Sequence, residues 1–363
     1  MAGAAQPAAV RSDEGRQLMK ALTLPKVGEV RVESVPEPTL VNPHDAIIKI
    51  SSSAICGSDL HAYRGRIPHI TPGVPIGHEY VGVVTEVGSE VRRFKVGDRV
   101  TGSFYTACGH CWACQRGFFP QCTDSAMFGF GPDLGDLAGT QAEYARIPDA
   151  DYTLLGIPDG VADEAAIFVG DVLSTAYFAA ERSGIKAGET AAVVGLGPVG
   201  LLAVEICFLM GAAQVAAVDV VPERLKSAQD RGAVPVVADA SALRVIREMT
   251  GGRGADAVVE AVGSETGLAL ALQLARGFGT ISSAGVYTER AVPVSMARLF
   301  AKDLTLRAGK ANVPGVAPIV MELLKHGRLH PERLFTERLP LSEGPRGYQM
   351  FADRQALKIL LVP

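Results

Sequence analysis

The sequence predicts an α/β protein of two parts, a β-barrel followed by a doubly wound parallel sheet. Up to about Ala150, short β-rich runs are separated by Gly, Pro and Asp turns, which is typical of an all-β barrel. After about residue 170, an apolar strand, a glycine break and a helix recur several times, which indicates parallel βαβ units. With 363 residues and 48% hydrophobic content, the chain is long enough for two domains, each with its own core.

The predicted strands fall into two groups. Those of the barrel include Ala46 to Ile50, Val81 to Val87 and Arg99 to Thr101. Those of the parallel sheet include Thr190 to Val194, Gln214 to Val218, Val234 to Val237, Asp256 to Glu260 and Thr280 to Ser283. From about Gly309 the chain has one helix-like run, Ala317 to Lys325, and then short mixed elements. These residues alone do not show to which of the two domains the segment belongs.

Composition and charge exclude several classes of protein. The formal net charge is -4 and the pI is near 6.0, so no nucleic-acid partner is expected. The most apolar passage, residues 191 to 221, is interrupted by glycines, a proline, Glu205 and Asp219, so no membrane-spanning helix is expected. Residues 1 to 18 are rich in Ala and lack the apolar core of a secretory signal, which predicts a disordered extension and a cytoplasmic protein.

Four of the six cysteines lie close together in the sequence. Cys108, Cys111, Cys114 and Cys122 form the pattern C-x2-C-x2-C-x7-C, and such short spacings let thiolates converge on one tetrahedral ion. This predicts a closed zinc site in a lobe of residues 104 to 124, with a structural role because four thiolates leave no open position. The alternatives are an iron–sulfur cluster, which uses related spacings, and disulfides, which a reducing compartment disfavours. Cys207, within an apolar helical stretch, is expected in the core.

Two motifs in the barrel bring a thiol, a hydroxyl and imidazoles together. The run Cys56 to His61 reads C-G-S-D-L-H at the predicted exit of a strand. The pattern G-H-E-x2-G-x5-G-x2-V extends from Gly77 to Val91. A single cysteine usually only packs in the core, and a single histidine is usually a hydrogen-bonded polar residue without a special role. Only the combination of these residues therefore indicates a functional site.

Together with the four-cysteine lobe, these motifs resemble those of the zinc-containing medium-chain alcohol dehydrogenases. The resemblance spans residues 20 to 363, and the three motifs occur in the family's order. It implies a GroES-like β-barrel catalytic domain, residues 19–171 and 309–363, and an NAD-binding Rossmann domain, residues 172–308, on either side of a cleft. It also implies that the C-terminal segment folds back onto the β domain and that the protein is a homodimer or homotetramer.

The resemblance implies a second, catalytic zinc ion, and therefore two zinc ions per chain. Cys56 and His78 match the family's ligands, and Glu79 matches a residue beside the ion or an alternative ligand. The best-known members have a cysteine where this chain has Asp171, but a carboxylate is also a legitimate zinc ligand. The glutathione-independent formaldehyde dehydrogenases look similar at this position. As an alternative, Asp171 could be the N-cap of the helix that follows it.

In this family the zinc ion acts as a Lewis acid on the alcohol oxygen while hydride leaves for NAD. By resemblance, the alcohol proton passes through the Ser58 hydroxyl and the cofactor ribose to His61, a residue type whose usual pKa is near physiological pH. The alternatives are a helix-capping hydroxyl for Ser58 and a surface imidazole for His61. Phe104 resembles a wall of the substrate pocket, which favours an apolar substrate.

A glycine loop, Gly195 to Gly200, follows the first predicted strand of the parallel sheet. Gly195, Gly197 and Gly200 give the pattern G-x-G-x-x-G, with Pro198 and Val199 before the last glycine, and the loop opens an apolar helix. The glycines permit a tight turn and a close approach of the backbone to a pyrophosphate, which would lie at the positive end of the helix. The sequence therefore predicts a dinucleotide site.

Asp219 lies 19 residues beyond Gly200, at the end of the second predicted strand. Its carboxylate is expected to accept hydrogen bonds from the adenosine ribose, and a 2′-phosphate would meet like charge there, so NAD is favoured over NADP. Arg224 matches a family position that contacts the same ribose. The further cofactor contacts implied by the resemblance are Thr175, Val199 and Val286 at the nicotinamide and Lys358 at the pyrophosphate.

The leading interpretation is the NAD-linked oxidation of a primary or secondary alcohol to an aldehyde or ketone. Two variants stay open, namely formaldehyde or aldehyde oxidation or dismutation, suggested by Asp171, and threonine or polyol dehydrogenation. Two other classes are a non-catalytic dinucleotide-binding protein and a zinc-ribbon nucleic-acid module. The complete catalytic motifs argue against the first, and the second would need a basic face.

Overall fold

The computed structural model describes residues 17–67 and 69–363. Residues 1–16 of the predicted extension lie outside the described residues, and the first strand begins at Leu18. The strands in the first part of the chain, before the parallel sheet, are β1 (Leu18–Lys26), β2 (Glu29–Pro36), β3 (Ala46–Ile55), β4 (Glu79–Val87), β5 (Arg99–Gly102), β6 (Tyr144–Ile147) and β7 (Leu154–Gly156). The helices that accompany them are α1 (Asp59–Tyr63), α2 (Ala150–Thr153), α3 (Asp163–Ala166) and α4 (Val172–Ser183).

Strands and helices alternate in the next part of the chain, as predicted. They are β8 (Thr190–Val194), α5 (Pro198–Leu209), β9 (Gln214–Asp219), α6 (Pro222–Gln229), β10 (Val234–Val237), α7 (Ala242–Met249), β11 (Ala255–Glu260), α8 (Glu265–Leu274), β12 (Ala275–Ser283), α9 (Met296–Lys302) and β13 (Thr305–Ala308). The order in the sheet is β10-β9-β8-β11-β12-β13, and every neighbouring pair is parallel. The predicted doubly wound parallel sheet is confirmed.

The remaining elements return the chain to the first sheet. They are α10 (Val313–Lys325), β14 (Glu337–Pro340), α11 (Gly344–Ala352) and β15 (Ile359–Val362). β15 pairs with β3, with Leu361 opposite Ser53, and the sheet order is β14-β15-β3-β4-β5-β7, with β6 also paired to β3. Short 3-10 turns occur at Cys114–Arg116, Phe119–Gln121, Pro132–Leu134, Ile167–Gly170, Pro331–Leu334 and Leu341–Glu343.

One hydrophobic core joins the two sheets. It contains Ala54 and Val81 from the first sheet, Leu173 from α4, and Val193 and Val259 from the parallel sheet. Burial of this shared apolar surface stabilises the arrangement of both halves, because the hydrophobic effect scales with the area removed from water. Helix α4 and the turn before it therefore lie where the two halves meet, which is where the candidate site is found.

Helix α5 illustrates how composition determines placement. Its residues are almost all apolar, and Cys207 within it is fully buried, as expected for a core residue. Among the residues that the structure describes, no helix combines the length and apolarity needed to cross a membrane.

Candidate functional site

Cys56, His78 and Asp171 form a ligand cluster at the junction of the two halves. Their ligand atoms all lie within 4.8 Å of one another. Asp171 Oδ2 is 3.4 Å from Cys56 Sγ and 3.2 Å from His78 Nε2. The pairing of β3 with β4 explains the proximity of the first two residues, because Cys56 follows β3 and His78 precedes β4, with Ala54 opposite Glu79 in the ladder.

Asp171 occupies the N-cap position of α4, the alternative that the sequence left open. Within the described part of the chain, however, its carboxylate makes no capping hydrogen bond to that helix. One oxygen, Oδ2, faces Cys56 and His78, and the other, Oδ1, accepts a hydrogen bond from Thr175 Oγ1 at 3.1 Å. The side chain is thus directed into the ligand cluster.

Beside His78 lies Asp59, a carboxylate to which no sequence motif assigned a role. The imidazole is 1% exposed, and its Nδ1 lies 3.1 Å from Asp59 Oδ1. The other carboxyl oxygen of Asp59 accepts a hydrogen bond from the Cys56 backbone N–H at 2.9 Å. Burial opposes protonation of His78, but the carboxylates of Asp59 and Asp171 outweigh it and raise the pKa of His78 well above its usual value. Asp59 lies within the C-G-S-D-L-H motif, and the need of a metal-binding histidine for a partner at its second nitrogen could have identified it.

Glu79 and Lys358 form a buried ion pair beside the cluster. Both side chains are 1% exposed, and Lys358 Nζ donates a hydrogen bond to Glu79 Oε2. Burial, the largest single effect, would lower the pKa of Lys358, but the neighbouring negative groups, first Glu79 and then Cys56 and Asp171, together outweigh it and raise that pKa. The structure therefore places Lys358 against Glu79, and its contact with the pyrophosphate stays a prediction.

The donor set of the cluster fits a zinc ion. It offers one sulfur, one imidazole nitrogen and one carboxylate oxygen, the ligand types of zinc sites that keep an open position. Burial, followed by the charges of Asp171 and Glu79, raises the pKa of the Cys56 thiol, so a cation is needed to hold the thiolate. Glu79 Oε1 is also buried and, among the described residues, has no hydrogen-bond partner. An ion with these ligands would satisfy several groups that are costly to bury alone.

The predicted structural zinc lobe brings its cysteines together as expected. The sulfurs of Cys108, Cys111, Cys114 and Cys122 lie within 4.8 Å of one another. Backbone N–H groups point at them, with Cys108 N 3.3 Å from Cys122 Sγ and Cys111 N 3.4 Å from Cys108 Sγ. No disulfide joins these cysteines in the described chain. Four sulfurs in one cluster fit a closed tetrahedral zinc site.

The glycine loop lies between β8 and α5. Gly195 has a φ of +90°, which favours glycine, and a Cβ at Gly200 would lie 1.8 Å from the Gly195 carbonyl oxygen. In the described structure, nothing lies within 4 Å of the place where Gly197 would carry a Cβ. Pro198 and Val199 begin α5, with Gly197 as the N-cap. The loop therefore has the tight turn and the open backbone that a pyrophosphate requires.

Asp219 ends β9 beside this loop and is 7% exposed. Its Oδ2 accepts a hydrogen bond from Leu196 N at 2.6 Å, and its Oδ1 accepts from Val220 N and Val221 N at 2.7 and 2.9 Å. Arg224 Nη1 lies 3.7 Å from Oδ2. The carboxylate is fixed next to the loop, where a bound ribose would lie.

Three other predicted residues have distinct positions. Ser58 Oγ lies 3.2 Å from His78 Nε2, and within the described residues its side chain does not cap α1. His61 is half-buried in α1, and burial, followed by the charges of Arg66 and Arg64, lowers its pKa. Val286 is 50% exposed.

The chain matches two family profiles in sequence. Residues 42–159 match the alcohol dehydrogenase GroES-like domain, and residues 198–324 match the zinc-binding dehydrogenase domain. A probable zinc-binding alcohol dehydrogenase of Mycobacterium tuberculosis is 40% identical over 91% of this chain and 84% of its own length.

Solved structures agree with these matches. An alcohol dehydrogenase from Thermus sp. ATN1 has a TM-score of 0.91 and 42% identity, over 95% of this chain and 99% of its own. A candidate zinc-binding dehydrogenase from Sinorhizobium meliloti, solved with NADP, has a TM-score of 0.82 and 28% identity, over 96% of this chain and 100% of its own. Zinc and a nicotinamide dinucleotide are the cofactors of this family. The chain therefore belongs to the zinc-dependent medium-chain dehydrogenase/reductase family and is an oxidoreductase of its alcohol dehydrogenase group.

Proposed function

We propose that the protein transfers hydride from a primary or secondary alcohol to NAD and so produces an aldehyde or ketone. The observation that carries this proposal is the convergence of Cys56, His78 and Asp171, whose ligand atoms lie within 4.8 Å of one another. Thr175, predicted to contact the nicotinamide, is hydrogen-bonded to Asp171. This contact supports a place for the nicotinamide next to the metal ligands.

These residues would hold a catalytic zinc ion, while the lobe would hold a second, structural one. When bound, the catalytic ion supplies Lewis-acid polarisation of the substrate oxygen. Ser58 Oγ, 3.2 Å from His78 Nε2, is close enough to the ligands to accept the proton of an alcohol bound there while it passes on its own hydroxyl proton. As the family resemblance implies, that proton would pass through the cofactor ribose to His61 and from there to solvent. The neutral form that it needs for this task is favoured by its lowered pKa.

The cofactor proposed is NAD. Asp219 presents a carboxylate beside the glycine loop, and its oxygens are already fixed by backbone N–H groups. A 2′-phosphate placed there would be repelled by this charge. Arg224 opposes the effect only in part, because at 3.7 Å it already faces the same carboxylate.

Apolar side chains around the ligand cluster favour a small apolar alcohol. The ring centroids of Phe104 and Phe130 lie 6.2 and 5.1 Å from that of His78. Formaldehyde or aldehyde oxidation or dismutation, and threonine or polyol dehydrogenation, are the alternatives. From the family resemblance we also propose a cytoplasmic homodimer or homotetramer, which light scattering on the purified protein would test.

Metal content and activity of Asp171→Ala test the proposal most directly. The wild-type protein should contain two zinc ions per chain, and the variant should lose one of them or its turnover should fall by roughly 100-fold or more. Asp230→Ala, which removes an exposed carboxylate paired with Lys226, is the matched control and should keep both ions and full activity. Full activity of Asp171→Ala would move the third-ligand role to Glu79 or water.

A substrate screen tests the reaction itself. Reduced cofactor is followed with NAD or NADP over simple alcohols, polyols, threonine and formaldehyde. Simple alcohols with NAD should give the highest kcat/KM. A clear preference for formaldehyde, threonine or a polyol would replace the substrate assignment, and no turnover with any of them would overturn the proposal.

A further inference from the structure

Gln141, just before β6, is a fully buried amide near the ligand cluster. Its Nε2 donates hydrogen bonds to the Ala54 carbonyl at 3.1 Å and to Asp59 Oδ2 at 3.2 Å. Its Oε1 accepts a hydrogen bond from the Tyr348 hydroxyl at 2.8 Å. Both side-chain donors and the acceptor are thus used, so the amide has one favoured orientation.

The glycine of the G-H-E motif provides the space for this amide. Gly77 has a φ of +86°, and a Cβ at this position would lie 2.4 Å from Gln141 Cγ. The backbones are also joined, because Gln141 N donates to the Ile76 carbonyl at 2.9 Å. Gln141 therefore packs against the residue that directly precedes His78.

Asp59 connects Gln141 to two of the metal ligands. Asp59 Oδ2 accepts from both Gln141 Nε2 and Cys56 N, while Oδ1 lies 3.1 Å from His78 Nδ1. The amide thus fixes the plane of the carboxylate that faces the imidazole. Replacing a direct partner of a metal ligand, as Asp59 is of His78, commonly changes metal affinity by roughly 10- to 100-fold, and Gln141 acts through this partner.

Asp59 is buried beside a small cavity. A cavity of about 10 Å³, at the lower limit of the space for one water molecule, is lined by Asp59, Ala62, Tyr63 and Tyr348 among others. The hydrogen bonds from Gln141 Nε2 and Cys56 N to Asp59 Oδ2 constrain the carboxylate beside this cavity. Tyr348, on α11, anchors the far end of the amide and ties this helix to the site.

We propose that Gln141 is a positioning residue for the catalytic zinc site. Its amide, anchored by Tyr348, holds Asp59 so that the imidazole of His78 keeps Nε2 directed at the ion, and this slows release of the metal. The inference rests on the proposed function, since it assumes an ion bound by Cys56, His78 and Asp171.

The rate of zinc release to a chromophoric chelator tests the proposal, with the lobe ion as an internal reference. Gln141→Met keeps the length of the side chain but removes its polar atoms. We expect release from the catalytic site to become roughly 10-fold faster, the lower end of the effect of replacing a direct partner of a ligand, with release from the lobe unchanged. We also expect a lower kcat with an unchanged KM for NAD, because the glycine loop is untouched.

Two further variants make the result specific. Tyr348→Phe removes only the anchoring hydroxyl and should speed release in the same direction by a smaller factor, and it replaces Gln141→Met if that variant does not fold. Gln349→Met alters an exposed amide on the same helix and should leave both release rates unchanged.

The possible failures are distinguishable. A wild-type protein that binds only the lobe ion would contradict the proposed function. Two bound ions in the wild type, with unchanged release in folded Gln141→Met or equal acceleration at both sites, would overturn the positioning role and leave the proposed function standing.

Discussion

Thr175 Oγ1 donates a hydrogen bond to Asp171 Oδ1 at 3.1 Å. The residue predicted to contact the nicotinamide therefore also holds the residue predicted to bind zinc. Because the second carboxyl oxygen of Asp171 faces Cys56 and His78, the hydroxyl fixes the carboxylate from the side opposite the cluster. A cysteine at position 171 would have no second atom for this contact.

Loss of this hydrogen bond should affect both metal and cofactor. Thr175→Val keeps the shape of the side chain but removes the hydroxyl, so kcat should fall by roughly 10- to 100-fold and KM for NAD should rise. Steady-state kinetics and zinc analysis measure both effects. Thr175→Ser retains the hydroxyl and should restore most of the activity; equal loss in both variants would show that the methyl group, not the hydrogen bond, matters.

The lobe and the ligand cluster should lose metal independently. Hydrogen bonds from the Cys114 and Thr123 backbones lower the pKa of Cys111 to about 6, so this sulfur is largely a thiolate at neutral pH, the form that binds zinc. Cys111→Ser should lose one zinc ion per chain, with a fall in Tm of roughly 5 °C or more, while the second ion stays bound. Calorimetry and metal analysis would measure these changes.

Cys207→Ala is the matched control, because Cys207 is buried in α5 and belongs to neither ligand cluster. It should keep both zinc ions, although it creates a small cavity. Simultaneous loss of both ions in Cys111→Ser would contradict the separation of the two sites.

Asp219 should determine the choice of cofactor. Asp219→Ser removes the negative charge beside the glycine loop and frees Arg224, so the ratio of kcat/KM for NADP to that for NAD should rise by at least roughly tenfold, or about 1.4 kcal/mol. Kinetics with both cofactors give the ratio. Adding Arg224→Ala should cancel most of the gain, and an unchanged ratio in Asp219→Ser would assign cofactor choice to other residues.

The fall of alcohol-oxidation activity at low pH, the acid limb of the pH profile, should depend on His61. The imidazole must be neutral to accept a proton. Its pKa is lowered from the usual 6.5 by burial, then by the charges of Arg66 and Arg64. Activity should therefore persist below pH 6.5 and fall as His61 becomes protonated at lower pH. The pH profile of kcat/KM tests this. His61→Gln should remove the limb.

Two charged neighbours of His61 shift its pKa in opposite directions, and this tests whether His61 is the group that titrates. Arg66 lowers the pKa of His61, whereas Glu289 raises it. Arg66→Gln should therefore move the limb to higher pH, and Glu289→Gln should move it to lower pH. Shifts in the same direction in both variants would exclude His61 as the titrating group.

Local patterns in the sequence predict most of the fold. The predicted start and end of β8 and β10 are those observed. β3 extends to Ile55, beyond the predicted Ile50, because a run of serines hides a strand in which Ser52 and Ser53 are nevertheless buried. β12 begins at Ala275, earlier than predicted, because its first half contains two glycines and a charged residue.

The candidate sites also divide into those that the sequence predicts and those that only the folded structure shows. Short spacings identify the cysteine lobe and the glycine loop, because their members are neighbours in sequence. The contact between Glu79 and Lys358 joins residues 279 positions apart, and that between Gln141 and Tyr348 joins residues 207 positions apart. Neither pair has a periodicity or a spacing of its own, so only the folded chain brings these partners together.

Because β15 pairs with β3, one part of the fold can form only late in translation. Leu361 lies opposite Ser53, and Lys358 reaches Glu79, so this sheet and the ion pair beside the ligand cluster cannot be completed until translation has passed residue 361. The strands of the parallel sheet, β8 to β13, are contiguous in the chain and can pair sooner. We therefore expect a nascent chain stalled before β15 to bind dinucleotide without oxidising an alcohol, since domains fold as units as they leave the ribosome.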